Sequence, residues 1–269
     1  ACSSMAKDDH GADADSGFDT DPDREHDADD TDHPFATTIR EGVFQVRRAG
    51  TRWLSSGWDG GFLGAPAAYN LSVPTGFSRT DLDTYIDERR RKAGFSDPGP
   101  ALLTGLALRH ARGARSESVG VIATAGLSNP AALPMRPDGS DDSTGTDDRR
   151  HTGTVNLVVV TSRALDDAGL TTLLATAVEA KAATLVATTG FPGTTSDAVV
   201  VGCDPAGEYE RFAGSATPVG AAARACVRDA VSASLRSRYS ESALPETVEA
   251  AEYGVRTTRS TESFDPFEP

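Results

Sequence analysis

The residues best suited to chemistry in this chain gather at the two ends of one stretch, residues 153–203. Thr154 and Asn156 precede an apolar run at 157–161, and Thr194, Thr195, Ser196 and Asp197 precede a second at 198–201. Hydroxyls, a carboxamide and a carboxylate supply hydrogen-bond donors, acceptors and one negative charge. Lys181 lies between the two groups. On a helical wheel Leu170, Leu174, Ala177, Lys181 and Leu185 share one stripe, so a lysine stands where the pattern asks for an apolar residue. The chain has only two others, Lys7 and Lys92. A stem that snorkels to the surface is one reading. The other directs the ammonium to the polar groups, near Asp197 or Asn156. There it binds substrate or, with its pKa lowered by burial, acts as a base; a neighbouring carboxylate favours binding.

The elements that must hold these groups follow from the same stretch. Both apolar runs are short and mostly β-branched, as strands covered on both faces should be. A helix over about 170–188 and a small-residue loop at 190–196 separate them, which predicts a βαβ-like crossover. Upstream, residues 43–47 and 51–55, joined at Ala49-Gly50, read as a β-hairpin. Four glycines then fall within 57–64, a loop whose spacing lacks the Lys-Ser/Thr ending of a phosphate cradle. A short strand at 70–73, a helix capped by Thr80 or Asp81 with Leu82, Tyr85, Ile86 and Arg89 on one face, and a strand at 119–125 come next. Residues 102–108 are apolar without a clear type. Residues 136–152 read as a long exposed loop, and 218–238 as an amphipathic helix. The expected fold is α/β, with α+β as the variant: a layered mixed sheet with flanking helices around the central unit.

The formal net charge of −14 lies in the two ends. Residues 1–34 hold twelve acids against Lys7 and Arg24, and 246–269 hold six against Arg256 and Arg259. Residues 35–245 hold as many acids as bases. Such ends bury too little apolar surface to offset ordering entropy, so 1–34 and 246–269 are predicted to be disordered acidic segments flanking one domain, 35–245. They repel nucleic acid and anionic membranes, and the body has no basic stripe, so neither is an expected partner. No apolar run reaches membrane-spanning length and the N-terminus is acidic where a signal peptide would be basic, which predicts a soluble, cytoplasmic protein. The Asp-rich, Lys-poor composition points to a salt-loving cytoplasm; a GC-rich genome with an acidic tail is the alternative. Cys2, Cys203 and Cys226 form neither a disulfide framework nor a zinc knuckle, and the last two read as small buried residues.

Six motifs remain: Leu54-Ser55-Ser56-Gly57 with Gly60-Gly61 and then Asn70; Thr124-Ala125-Gly126-Leu127-Ser128-Asn129; Gly153-Thr154-Val155-Asn156; Glu179-Ala180-Lys181-Ala182; Gly193-Thr194-Thr195-Ser196-Asp197; and Gly214-Ser215-Ala216-Thr217 with Gly220. In this order and spacing, over roughly 40–236, they resemble the adenosylcobinamide amidohydrolases of archaeal corrinoid salvage. The resemblance implies hydrolysis of the amide that joins aminopropanol to the corrin side chain, giving adenosylcobyric acid. The corrinoid is then substrate and no cofactor is expected; a homo-oligomer is open. Gly60, Gly61, Asn70, Thr154, Glu179, Thr194, Thr195 and Ser196, all within these motifs, are the candidate substrate contacts; Thr194, Thr195 and Ser196 can instead cap the loop before the second strand. Residues 119–202 are also similar to pieces of the self-processing aminopeptidase and ornithine-acetyltransferase type, which layers helices outside two sheets; no cleavage site is evident. Two other functions stay open. One is a corrinoid-binding or delivery protein, although the Asp-x-His-x-x-Gly setting of cobalt carriers is absent. The other is an acyl transferase or amidase of the N-terminal nucleophile type.

Amide hydrolysis needs a nucleophile, donors for the oxyanion and an acid for the departing amine. The body has two histidines, His110 and His151, and no metal-ligand spacing, so a metal hydroxide is not expected. Ser128 follows a strand and precedes Asn129-Pro130, a sharp turn that can expose its Oγ. Asn129 and Asn156 carry amide donors for an oxyanion, and Asp197 can orient Lys181 or bind the substrate amide. Trp53, Trp58, Phe62 and Tyr69 either line a site for a flat macrocycle or pack in the core. Ser128, Asn129, Asn156, Lys181 and Asp197 are the candidate catalytic set.

Overall fold

The computed structural model describes residues 35–136, 153–251 and 253–266. The expectations for 1–34, for most of the 136–152 loop and for His151 lie outside them. Strands β1 (Ala36–Arg40), β2 (Val43–Arg47), β5 (Ala67–Ser72) and β6 (Ala101–Thr104) form a four-stranded sheet in that order. A six-stranded sheet runs β4 (Gly61–Gly64), β3 (Arg52–Ser55), β11 (Ala198–Cys203), β10 (Val155–Thr161), β8 (Val119–Ala125) and β7 (Arg112–Ser116). The pair β10 and β11 is parallel, with Asn156 opposite Ala198, and helix α2 (Asp167–Thr189) is the crossover. The predicted βαβ unit is therefore the centre of the larger sheet.

Strand alternation explains the layers. Leu157, Val159, Val199 and Val201 point to α2 and to α3 (Pro218–Arg238), where they meet Leu170, Leu173, Ala177, Val227 and Val231. Val158, Val160 and Val200 point the other way, onto Trp53, Phe44, Val46, Ala68 and Leu102 of the space between the sheets. Helix α1 (Leu82–Lys92) covers the outer face of the smaller sheet, with Ile86 against Val43, Tyr69 and Leu71. The order is helices, sheet, sheet, helix, so the central strands are buried on both faces and their middles, Leu157–Val160 and Val199–Val201, are apolar. Each fully buried aliphatic side chain contributes about 1.5–3 kcal/mol. Asp166 starts α2 by accepting from Gly169 N, and Thr217 starts α3 by accepting from Gly220 N, with Pro218 at the first helical position.

The structure differs from the sequence reading in several places. β2 and β3 form where expected but not as a hairpin: β2 pairs with β1 and β5, and β3 with β4 and β11. The chain crosses between sheets at 48–51, which lets Phe44 and Val46 of one sheet face Trp53 of the other. The hairpin turn is instead Glu41-Gly42, joining β1 and β2, with φ of 48° and 70° at the two residues, the pattern two-residue hairpins prefer. Asp81 precedes α1, yet its side chain does not cap; Arg79 holds the carboxylate. Helix α2, at 23 residues, is long and apolar enough to cross a membrane by length and composition. Here one face of it covers the larger sheet. Part of the C-terminal segment expected to be disordered is paired: β12 (Val255–Arg256) lies parallel to β9 (Ala131–Ala132). Backbone pairing supplies there the order that side-chain composition could not. Cys203 and Cys226 are buried, and desolvation raises both thiols, Cys226 to about 11.

Candidate active site

The polar groups meet where β10 and β11 start and β8 ends. Because β10 runs antiparallel to β8 and parallel to β11, Val155 and Asn156 stand beside Ala125 and Thr124 on one side and Ala198 on the other. Asn156 faces the space between the sheets. Its Nδ2 donates to Asn70 Oδ1 at 3.1 Å and to the Leu103 carbonyl at 2.9 Å. Asn70 Nδ2 donates in turn to Thr124 Oγ1 at 3.0 Å. Thr154 Oγ1 lies 2.9 Å from both Asn156 Oδ1 and the Ser196 carbonyl. All four side chains are buried. Asn156 thus has partners for both N–H groups, which leaves none for an oxyanion; it ties the two sheets together.

On the helix side of the same sheet end, Lys181 is buried and its Nζ pairs with Asp197 Oδ2. The stripe that made Lys181 conspicuous is the stripe that faces the core. Asp197 also accepts from Val155 N at 2.8 Å, from Thr194 N at 3.1 Å and from Thr194 Oγ1. One carboxylate therefore fastens α2, the start of β10 and the 193–197 loop to each other. Gly193 is required for this closeness, since a Cβ there would lie 2.6 Å from Asp197 Oδ2.

The turn after β8 is fixed along its length. Gly126 N donates to the Thr154 carbonyl at 3.1 Å and Leu127 N to Tyr239 Oη at 2.9 Å. The Ser128 carbonyl accepts from Tyr253 N at 2.7 Å, the Asn129 carbonyl from Thr195 N at 3.2 Å and the Pro130 carbonyl from Val255 N at 2.9 Å. Asn129 Nδ2 donates to Thr195 Oγ1 at 2.6 Å, and Ser196 Oγ donates to the Gly153 carbonyl at 3.1 Å. Two side-chain atoms stand apart from this pattern. Asn129 Oδ1 is buried without a hydrogen-bond partner among the described residues. Ser128 is half-buried and its Oγ makes no hydrogen bond among the described residues. Both crowd Gly153, where any Cβ would collide with them. A buried acceptor without a donor is costly, about 1–3 kcal/mol, and calls for an explanation such as a ligand.

The other sequence candidates fall in different places. Gly60 and Gly61 form the exposed β3–β4 turn at the same end of the sheet, because Ser56 exchanges hydrogen bonds with Val199 just after Asp197. Glu179 does not join the cluster: it is 64% exposed on the outer side of α2 and pairs with Arg224 of α3. Trp53 and Tyr69 are core residues, whereas Trp58 and Phe62 are exposed. His110 packs beside Ser237, 3.1 Å from Nδ1 to Oγ, and burial lowers its pKa, with help from Arg109, Arg238 and Arg112. Among the described residues no three His, Cys, Asp or Glu side chains are grouped to hold a metal ion. The sequence placed Thr124 in a motif without a role, and it gave no sign of Tyr239 and Tyr253, whose partners Leu127 and Ser128 are far away in the chain.

The family model described as adenosylcobinamide amidohydrolase matches residues 28–243. A protein of Halobacterium salinarum named adenosylcobinamide amidohydrolase is 55% identical over 235 residues, covering 86% of this chain and 100% of its own length. One of the same name from Methanosarcina mazei is 27% identical over 212 residues, covering 75% and 95%. A crystallised protein of Pyrococcus horikoshii OT3 superposes over 74% of this chain and 78% of its own at 12% identity and a TM-score of 0.38, too low to carry an argument. The Halobacterium relative agrees with the salt-loving character read from composition.

Proposed function

The chain belongs to the adenosylcobinamide amidohydrolase family, and from that premise we propose that it hydrolyses the aminopropanol amide of adenosylcobinamide at the turn carrying Ser128 and Asn129. The observation that carries the location is the buried, partnerless Asn129 Oδ1 beside a half-buried serine hydroxyl that makes no hydrogen bond among the described residues. An amide substrate brings the missing donor: its N–H satisfies Asn129 Oδ1. Ser128 Oγ then attacks the carbonyl carbon. The C–N bond breaks, the serine proton leaves with the aminopropanol nitrogen, and water releases adenosylcobyric acid and restores the hydroxyl. The backbone N–H groups of Ser128 and Asn129, which have no acceptor among the described residues, are the candidate oxyanion donors. Lys181 and Asp197 act on the reaction through the 193–197 loop, which carries Thr195 to Asn129.

The test is incubation of purified protein with adenosylcobinamide, with mass detection of adenosylcobyric acid and aminopropanol. Turnover is expected from the parent, and Ser128→Ala should lower kcat at least about hundredfold while melting as the parent does. Brief incubation with substrate and acid quenching should leave Ser128 acylated in the intact mass. An active Ser128→Ala protein would place the chemistry elsewhere.

A further inference from the structure

The C-terminal segment reads from composition as a disordered acidic tail, and the family match ends at residue 243. Yet residues 253, 255 and 257 donate their backbone N–H groups, in strict alternation, to the carbonyls of Ser128 at 2.7 Å, Pro130 at 2.9 Å and Ala132 at 3.0 Å. This is the hydrogen-bond pattern of an added parallel strand. Packing reinforces it: Val248 and Thr258 are buried, and Gly254 lies so close to Val248 that no Cβ fits between them.

We propose that residues 253–258 are a positioning strand for the Ser128–Asn129 turn, so that the amide-cleaving site is complete only when the C-terminal segment is docked. The argument runs through one peptide plane. A trans peptide is planar, and its C=O and N–H point in opposite directions. The bond from Tyr253 N to the Ser128 carbonyl therefore sets the direction of the Asn129 N–H, which has no acceptor among the described residues. The Val255 bond fixes the far side of the same turn. Without the strand, the Ser128 carbonyl would be held by nothing described in the fold, and the peptide that bears the candidate oxyanion donor could rotate. Small misplacements of this kind lower turnover by about tenfold to a hundredfold without touching the bulk of the binding surface. The proposal rests on the reading of Ser128 and Asn129 as the reacting turn.

The experiment uses full-length protein. Tyr253→Pro removes the donor to the Ser128 carbonyl and Val255→Pro removes the donor to the Pro130 carbonyl; Arg256→Ala changes an exposed side chain on the same strand and leaves its backbone intact. Melting temperature, kcat and KM for adenosylcobinamide are measured for each, beside Ser128→Ala. The expected result is a kcat lowered about tenfold or more in both proline variants, KM changed far less, melting within a few degrees of the parent, and Arg256→Ala unaffected. Proline variants with parental kcat, or variants whose loss of activity tracks unfolding, overturn the proposal. Parental activity in Ser128→Ala would instead overturn the site on which it rests, so the two failures are told apart.

Discussion

The two halves of the polar cluster differ in what their atoms still have to offer. Around Lys181 and Asp197 every strong group has a partner: one ammonium and three further donors converge on one carboxylate. Around Ser128 and Asn129 the backbone is held at least as firmly, but the Oγ and Oδ1 atoms have no partner among the described residues. Saturated groups contribute stability and placement; a substrate is recognised by groups held in place with capacity to bond still available. The comparison also separates two residues that the sequence ranked together, since Asn156 falls in the saturated half and Asn129 in the open one.

The sharpest way to break this contrast is Lys181→Met. It keeps the stem and leaves Asp197 buried without a counter-charge, so stability should fall by about 3–5 kcal/mol. Turnover of the remaining folded protein should fall at least about a hundredfold, or roughly 2.7 kcal/mol. Denaturant unfolding beside kinetics checks both. A variant as stable as the parent would mean that the ion pair holds nothing, and the two halves would no longer differ.

A smaller effect is expected from an ion pair outside the cluster. Arg48 binds Asp204, and that hydrogen bond holds the Asp204 carboxyl below the usual aspartate range, against an opposing push from burial. A depressed folded value means stability that is present above the unfolded aspartate value, about 3.9, and lost as pH falls through the folded one. Asp204→Asn should cost about 1 kcal/mol near neutral pH, with the difference from the parent closing at acid pH and shrinking in high salt. A difference that does not depend on pH would remove the ion pair as its cause.

The smallest effect is expected at Glu179. Its pairing with Arg224 lies in solvent on the outer face of the helices. Glu179→Ala should change stability by less than about 0.5 kcal/mol and leave kcat and KM as they are. A raised KM for adenosylcobinamide would bring the outer face of α2 into the site.

Much of the frame was legible in the chain because its signals are local. The runs at 157–160 and 198–201 are apolar at every position, the pattern of strands buried on both faces, and the helical stretch between them is their crossover. Lys181 was conspicuous because a helical repeat of 3.6 residues makes one misplaced charge visible. The 218–238 stripe and the 119–125 strand were equally plain. The six motifs were legible as well, but they spoke for a family, and the roles of individual residues stayed open.

What only the tertiary structure decided concerns partners distant in sequence. Residues 43–47 and 51–55 have the same strand pattern whether they pair with each other or divide between two sheets; the need to fill the space between the sheets with Phe44, Val46 and Trp53 chose the second. Asn129 and Asn156 are the same residue type, and each stands next to an apolar run in the sequence. Asn156 meets Asn70, 86 positions away, while Asn129 Oδ1 has no hydrogen-bond partner among the described residues. The segment after residue 245 is acidic and poor in apolar residues, so composition predicted disorder. Its order comes from backbone N–H groups, which every non-proline residue carries and which therefore leave no mark in a sequence.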